Sequence, residues 1–146
     1  MFCLALPMST LLAQINKPIN ITPPEPLLVK AGANVEETLN LSVREGFHVN
    51  SDKPKDEYII PIKLTWTGAP LETRQVIYPK PAEIKVGDQQ LTVFSGSFPI
   101  KTQFHVAEGA AKGTVTVSGK LRYQACNNEM CLRPVTVDIP LTVTIE

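Results

Sequence analysis

Apolar and polar residues alternate with a period of two in one stretch of this chain after another, a pattern that suits a β-strand with one buried face. Leu39, Leu41 and Val43 alternate with Asn40, Ser42 and Arg44. Tyr58, Ile60, Ile62, Leu64 and Trp66 repeat the pattern, with Pro61 and Lys63 on the opposite face. Phe98, Ile100, Thr102, Phe104 and Val106 form one row. Val115, Val117, Leu121 and Tyr123 form another, and Val135, Val137, Ile139, Leu141, Val143 and Ile145 a third. Shorter strands are legible at Arg74 to Tyr78 and Leu91 to Phe94. Gly46 and the Thr67-Gly68-Ala69-Pro70 stretch supply turns, while Pro61 marks an edge or a bulge because proline cannot donate to a sheet ladder. No segment has the 3.6-residue period of an amphipathic helix. Thirteen prolines fit many short strands better than a helical bundle. About seven or eight strands separated by glycine and proline turns predict an all-β fold, an immunoglobulin-like two-sheet β-sandwich. Antibody domains place tryptophan between paired cysteines; here both late cysteines follow Trp66, so the likeness is one of architecture.

A chain of 146 residues is long enough for one domain with its own core. Fourteen basic and fourteen acidic side chains cancel, which leaves no broad field to attract nucleic acid or an anionic membrane. The stretch 1–13 (MFCLALPMSTLLA) is apolar, too short to span a bilayer, and interrupted by Pro7. It reads as the remnant of a signal peptide, hence of an exported protein, although no lysine or arginine precedes it; the alternative is a hydrophobic N-terminal strand. Cleavage near Ala13 removes Cys3 and leaves Cys126 and Cys131, an even count that favours pairing in an oxidising compartment. Residues 14–26 carry four prolines and no sustained period, so they form an extended lead-in to a single domain over 27–146.

Cys126 ends one strand and Cys131 precedes another, with Asn127-Asn128-Glu129-Met130 between them, so the thiols flank a hairpin-like loop and can meet. Asparagine there tolerates the left-handed backbone of a tight turn. If the incoming strand runs unbroken, Cys126 shares the polar row of Lys120, Arg122 and Gln124 and faces away from the core. Two readings stay open on these residues alone: a structural staple, or an exchange-active pair. A loop this short gives a staple worth only about 2 kcal/mol in the chain-entropy model. Arg133 would lower the pKa of the neighbouring thiol and Glu129 would raise it. Two cysteines without nearby histidines leave a tetrahedral metal site half empty, and the absence of C-x-x-C-H excludes covalent c-type haem. Neither G-x-S-x-G nor H-E-x-x-H occurs, which argues against a hydrolase. His105 lies in the polar row of its strand and is expected to face solvent.

The segments Y-Q-A-C-N-N-E-M-C-L-R-P-V-T-V (Tyr123 to Val137) and G-F-H-V-N-S-D-K-P (Gly46 to Pro54) closely resemble the DsbD N-terminal domain family of periplasmic thiol–disulfide interchange domains. The resemblance covers most of the chain after about Val29 and rests on two separated motifs in the right order. It implies an immunoglobulin-like domain in the periplasm that works without a dissociable cofactor and as a monomer. It implies electrons taken from thioredoxin-like redox proteins and a membrane electron-transfer protein, and delivered to oxidised periplasmic proteins. Cys131 would then make the intermolecular disulfide and Cys126 resolve it. Leu91 to Gly96 resembles the family's mobile cap, with Phe94 as the shield over the sulfurs. Phe47 and His48 would line the site, His48 tuning a thiol, holding a proton or bonding to a turn, and Tyr123 would pack beside the first cysteine. The chain departs from better-known members in the shorter inter-cysteine loop and in Leu132-Arg133-Pro134 where an aromatic-proline pair is usual. The runner-up function is a non-catalytic adaptor whose disulfide only pins a hairpin.

Overall fold

The computed structural model describes residues 17–146. The run 1–13 read as a signal-peptide remnant, Cys3 with it, lies outside the described residues. All regular structure described is strand. One sheet has the order β1 (Ile19–Ile21), β3 (Asn34–Val43), β9 (Ser97–Val106), β6 (Leu71–Ile77), antiparallel throughout. A second has the order β2 (Leu27–Val29), β12 (Val135–Ile145), β10 (Gly113–Tyr123), β5 (Lys63–Thr67); β2 runs parallel to β12 and the other pairs are antiparallel.

These two sheets form the sandwich. Their inward rows meet face to face, with Leu39, Leu41 and Ile100 of the first sheet packed among Leu64, Leu121 and Ile139 of the second. Phe104 and Val106 pack likewise with Val117, Leu141 and Val143. Each such side chain removed from water contributes about 1.5–3 kcal/mol, so the alternating rows are what hold the domain together.

A third sheet was not expected. It has the order β11 (Ala125–Cys126), β4 (His48–Asn50), β8 (Gln89–Phe94), β7 (Ala82–Val86), and it extends the core through Val49, Phe94 and Ala125. The immunoglobulin-like architecture stands, with this sheet added to the predicted pair.

Two local expectations are corrected. The alternation from Tyr58 to Trp66 becomes strand only at Lys63–Thr67, and Tyr58 is 86% exposed. Upstream of it the chain turns on itself: Asp56 accepts the Tyr58 N–H through its carboxylate at 2.9 Å, and Asn50 Nδ2 donates to the Ile60 carbonyl at 3.0 Å. Those backbone groups are taken, and Pro61 has none to donate. The lead-in 14–26 carries β1, whose Ile19 is buried in the core cluster.

Candidate functional site

Strand β10 stops at Tyr123, and Gln124 carries the chain from the second sheet to the third, its Nε2 donating to the Leu132 carbonyl at 3.2 Å. The in-out parity nonetheless carries through, since Ala125 joins Leu121 and Tyr123 in the core cluster. Cys126, expected to face away from the core, does lie on the face opposite Ala125, but that face is covered here and Cys126 is buried as well.

Beyond β11 the chain reverses at once. Asn127 N–H donates to the Met130 carbonyl at 2.9 Å, and Leu132 N–H to the Ala125 carbonyl at 2.8 Å. Asn127 Oδ1 accepts the N–H groups of Glu129 and Met130, each at 2.8 Å. The asparagine therefore holds the loop with its side chain rather than with a left-handed backbone, since no non-glycine residue described has a positive φ. Sequence reasoning missed this role; its signal was an Asx residue followed by two free N–H groups within a tight reversal.

The reversal sets Cys126 and Cys131 opposite each other as an isolated antiparallel bridge, with Cα atoms 4.0 Å apart and the sulfurs bonded. The two halves differ sharply in access. Cys126 is 4% exposed, whereas Cys131 is exposed beside Met130, and Glu129 and Arg133 nearby are exposed as well.

Next to β11 lies β4, presented by a turn in which Phe47 N–H donates to the Arg44 carbonyl at 3.0 Å and Gly46 adopts a φ of 86°. That angle is open to glycine and strained for most other residues, so Gly46 is what lets the chain re-enter a sheet so soon after β3. Phe47 is half-buried against the core with the Arg44 guanidinium 4.6 Å from its ring centroid. Past β4, Ser51 N–H donates to the Thr92 carbonyl at 2.9 Å and the two hydroxyls lie 2.8 Å apart, which pins β4 to β8.

Register then decides which candidate residues meet. His48 is the pair partner of Cys126, and Val49 the partner of both Ala125 and Phe94. Paired residues share a face, so His48 and Cys126 lie on one side of this sheet, and Val49, Ala125 and Phe94 on the core side. Phe94 is 4% exposed with its ring centroid 5.0 Å from that of Phe98, and Leu91 to Phe94, the segment resembling a cap, forms the end of β8. Tyr123 is buried in the core cluster, and burial pushes its phenol above the ordinary range. His48 is buried, its Nε2 has no hydrogen-bond partner, and burial lowers its pKa. His105 is a surface residue of the far end, between Asn34 at 2.7 Å and Glu108 at 3.4 Å.

The family model described as thiol:disulfide interchange protein DsbD, N-terminal, matches residues 20–142. No curated protein sequence matches the chain. Among solved structures, the N-terminal periplasmic domain of ScsB from Proteus mirabilis superposes with a TM-score of 0.59 at 14% identity, over 84% of this chain and 44% of that one. The N-terminal domain of DsbD from Neisseria meningitidis, in its reduced form, gives 0.51 at 18% identity, over 78% of this chain and 82% of that one. At such identities the superpositions speak for the fold alone, and the chain spans less than half the length of the ScsB structure. The family match, by contrast, runs from within β1 to within β12 and takes in both cysteines, so this chain belongs to the DsbD N-terminal family of thiol–disulfide exchange domains.

Proposed function

We propose that this domain relays two electrons at a time in the periplasm through Cys126 and Cys131. Thioredoxin-like proteins and a membrane electron-transfer protein reduce the pair, and oxidised periplasmic proteins receive the electrons. The reduced pair attacks a partner's disulfide through Cys131, forming a mixed disulfide and releasing one partner thiolate. Cys126 then attacks the Cys131 sulfur, restoring the internal bond and releasing the second partner thiolate; the two thiol protons end on the partner. The observation that carries this reading is the unequal exposure of the two bonded cysteines, Cys131 exposed and Cys126 buried. An attacking thiol has to reach a foreign disulfide, while a resolving thiol needs only to reach its neighbour.

Trapping tests the roles. A Cys126→Ser variant is expected to accumulate mixed disulfides through Cys131 with thioredoxin-like proteins, whereas Cys131→Ser does not; the opposite result reverses the assignment. Redox titration tests the function itself. A potential above about −300 mV supports exchange, and a lower one makes the bond a staple in a non-catalytic adaptor.

A further inference from the structure

His48 faces the same side of its sheet as Cys126, directly across the β11–β4 pair, and pair partners hold their Cβ atoms about 5 Å apart. Its Nε2 is buried and unpartnered while the disulfide is closed. Leaving a buried polar atom without a partner is unfavourable, and such groups in folded proteins call for an explanation. A closed disulfide offers it no donor. Opening the bond creates one on the neighbouring residue, the Cys126 S–H.

We propose that His48 is the proton acceptor for Cys126: its Nε2 takes the thiol proton as that sulfur attacks Cys131 in the mixed disulfide. The inference rests on the exchange reading and assigns its second step. One S–S bond forms, between Cys126 and Cys131, and one breaks, between Cys131 and the partner. The electron pair leaves on the partner's sulfur, and the proton held by His48 passes to that thiolate or to water. Burial is also what keeps the imidazole neutral, and so able to accept, near pH 7. The ionisable side chains on surrounding elements are Arg44 and Glu45 in the preceding turn, Glu129 at the hairpin tip and Arg133 beyond Cys131, all exposed, with Asp52 after β4 acting on Tyr78. From β8 come Thr92, Val93 and Phe94, none of which titrates in this range.

The experiment mixes the reduced domain with 5,5′-dithiobis(2-nitrobenzoate) and records thionitrobenzoate release in two phases. Attack by Cys131 gives the first, and resolution by Cys126 the second. An ordinary cysteine with a pKa near 8.5 is about 3% thiolate at pH 7, so a proton acceptor can speed resolution by at most about 30-fold. His48→Phe, which keeps an aromatic ring without nitrogen, is expected to slow the second phase about tenfold at pH 7 while leaving the first unchanged. The difference should vanish near pH 10, where the thiol ionises unaided. His48→Gln keeps a hydrogen-bond acceptor that cannot hold the proton, and is expected to resolve as slowly as the Phe variant. Resolution at the wild-type rate in His48→Phe at pH 7, or slowing by the same factor at pH 7 and pH 10, overturns the proposal. Absence of the first phase in the wild-type domain would instead overturn the exchange reading beneath it.

Discussion

At the scale of single residues, the most demanding side chain outside the redox site is Glu37. It occupies the inward row of β3 between Val35 and Leu39, opposite Thr102 of β9, and is 3% exposed. Thr102 is already engaged, its hydroxyl accepting from Trp66 Nε1 at 3.0 Å, and neither Glu37 oxygen has a partner. Desolvation accordingly raises the carboxyl pKa from 4.5 to about 7. The folded state then holds a proton that the unfolded chain has already released between these two values. Stability therefore falls as pH rises through that window and levels off above about 7. In urea unfolding, wild type relative to Glu37→Gln is expected to lose on the order of 2 kcal/mol between pH 5 and pH 8. A stability difference between the two proteins that does not change with pH would refute the buried, proton-binding carboxyl.

At the scale of elements, β10 shows how tightly the strands of the second sheet are matched. Gly119 is the pair partner of Trp66 on β5. A Cβ at Gly119 would stand 2.6 Å from the Trp66 ring and 3.0 Å from the Ile139 carbonyl oxygen. The indole has little room to yield, held by its bond to Thr102 and edge-on to Phe104 at 5.6 Å between centroids. Gly119→Ala is expected to destabilise the domain by about 1–3 kcal/mol, the usual cost of overpacking. Trp66 is the chain's single tryptophan, so a shift in its emission at equal temperature would locate the strain. An unchanged melting temperature would show that the close approach is not a constraint. The same long strands were the legible ones: β12 runs from Val135 to Ile145, as its alternation predicts, because a strand with one face in the core must alternate. The third sheet was not legible as a sheet. His48–Asn50 and Ala125–Cys126 are too short to display a period, and all their residues are buried. The cysteine pair and the His48 segment stood out by motif, yet their adjacency depends on the change of sheet at Gln124, which alternation along the strand does not reveal because the parity runs on through it.

At the scale of the whole molecule, the redox bond and the fold are built on different parts of the chain. The sandwich draws its core from rows on β3, β9, β10 and β12, while the disulfide joins residues only five apart, on the edge strand of the small sheet and just beyond it. Closing so short a loop restricts the unfolded chain little, so opening it costs the fold about 2 kcal/mol in the chain-entropy model. A domain that alternates between dithiol and disulfide needs this separation, since each turnover would otherwise approach an unfolding event. Reduction with a phosphine is therefore expected to leave the far-ultraviolet circular dichroism unchanged and to lower the urea midpoint only modestly. Increased amide exchange should be confined to the hairpin 126–131, β11 and its partner β4, because only there are backbone bonds held in place by the bridge. Loss of protection in β3, β9, β10 or β12 on reduction would show instead that the disulfide supports the sandwich, and with that the physical separation of electron relay from folding would fail.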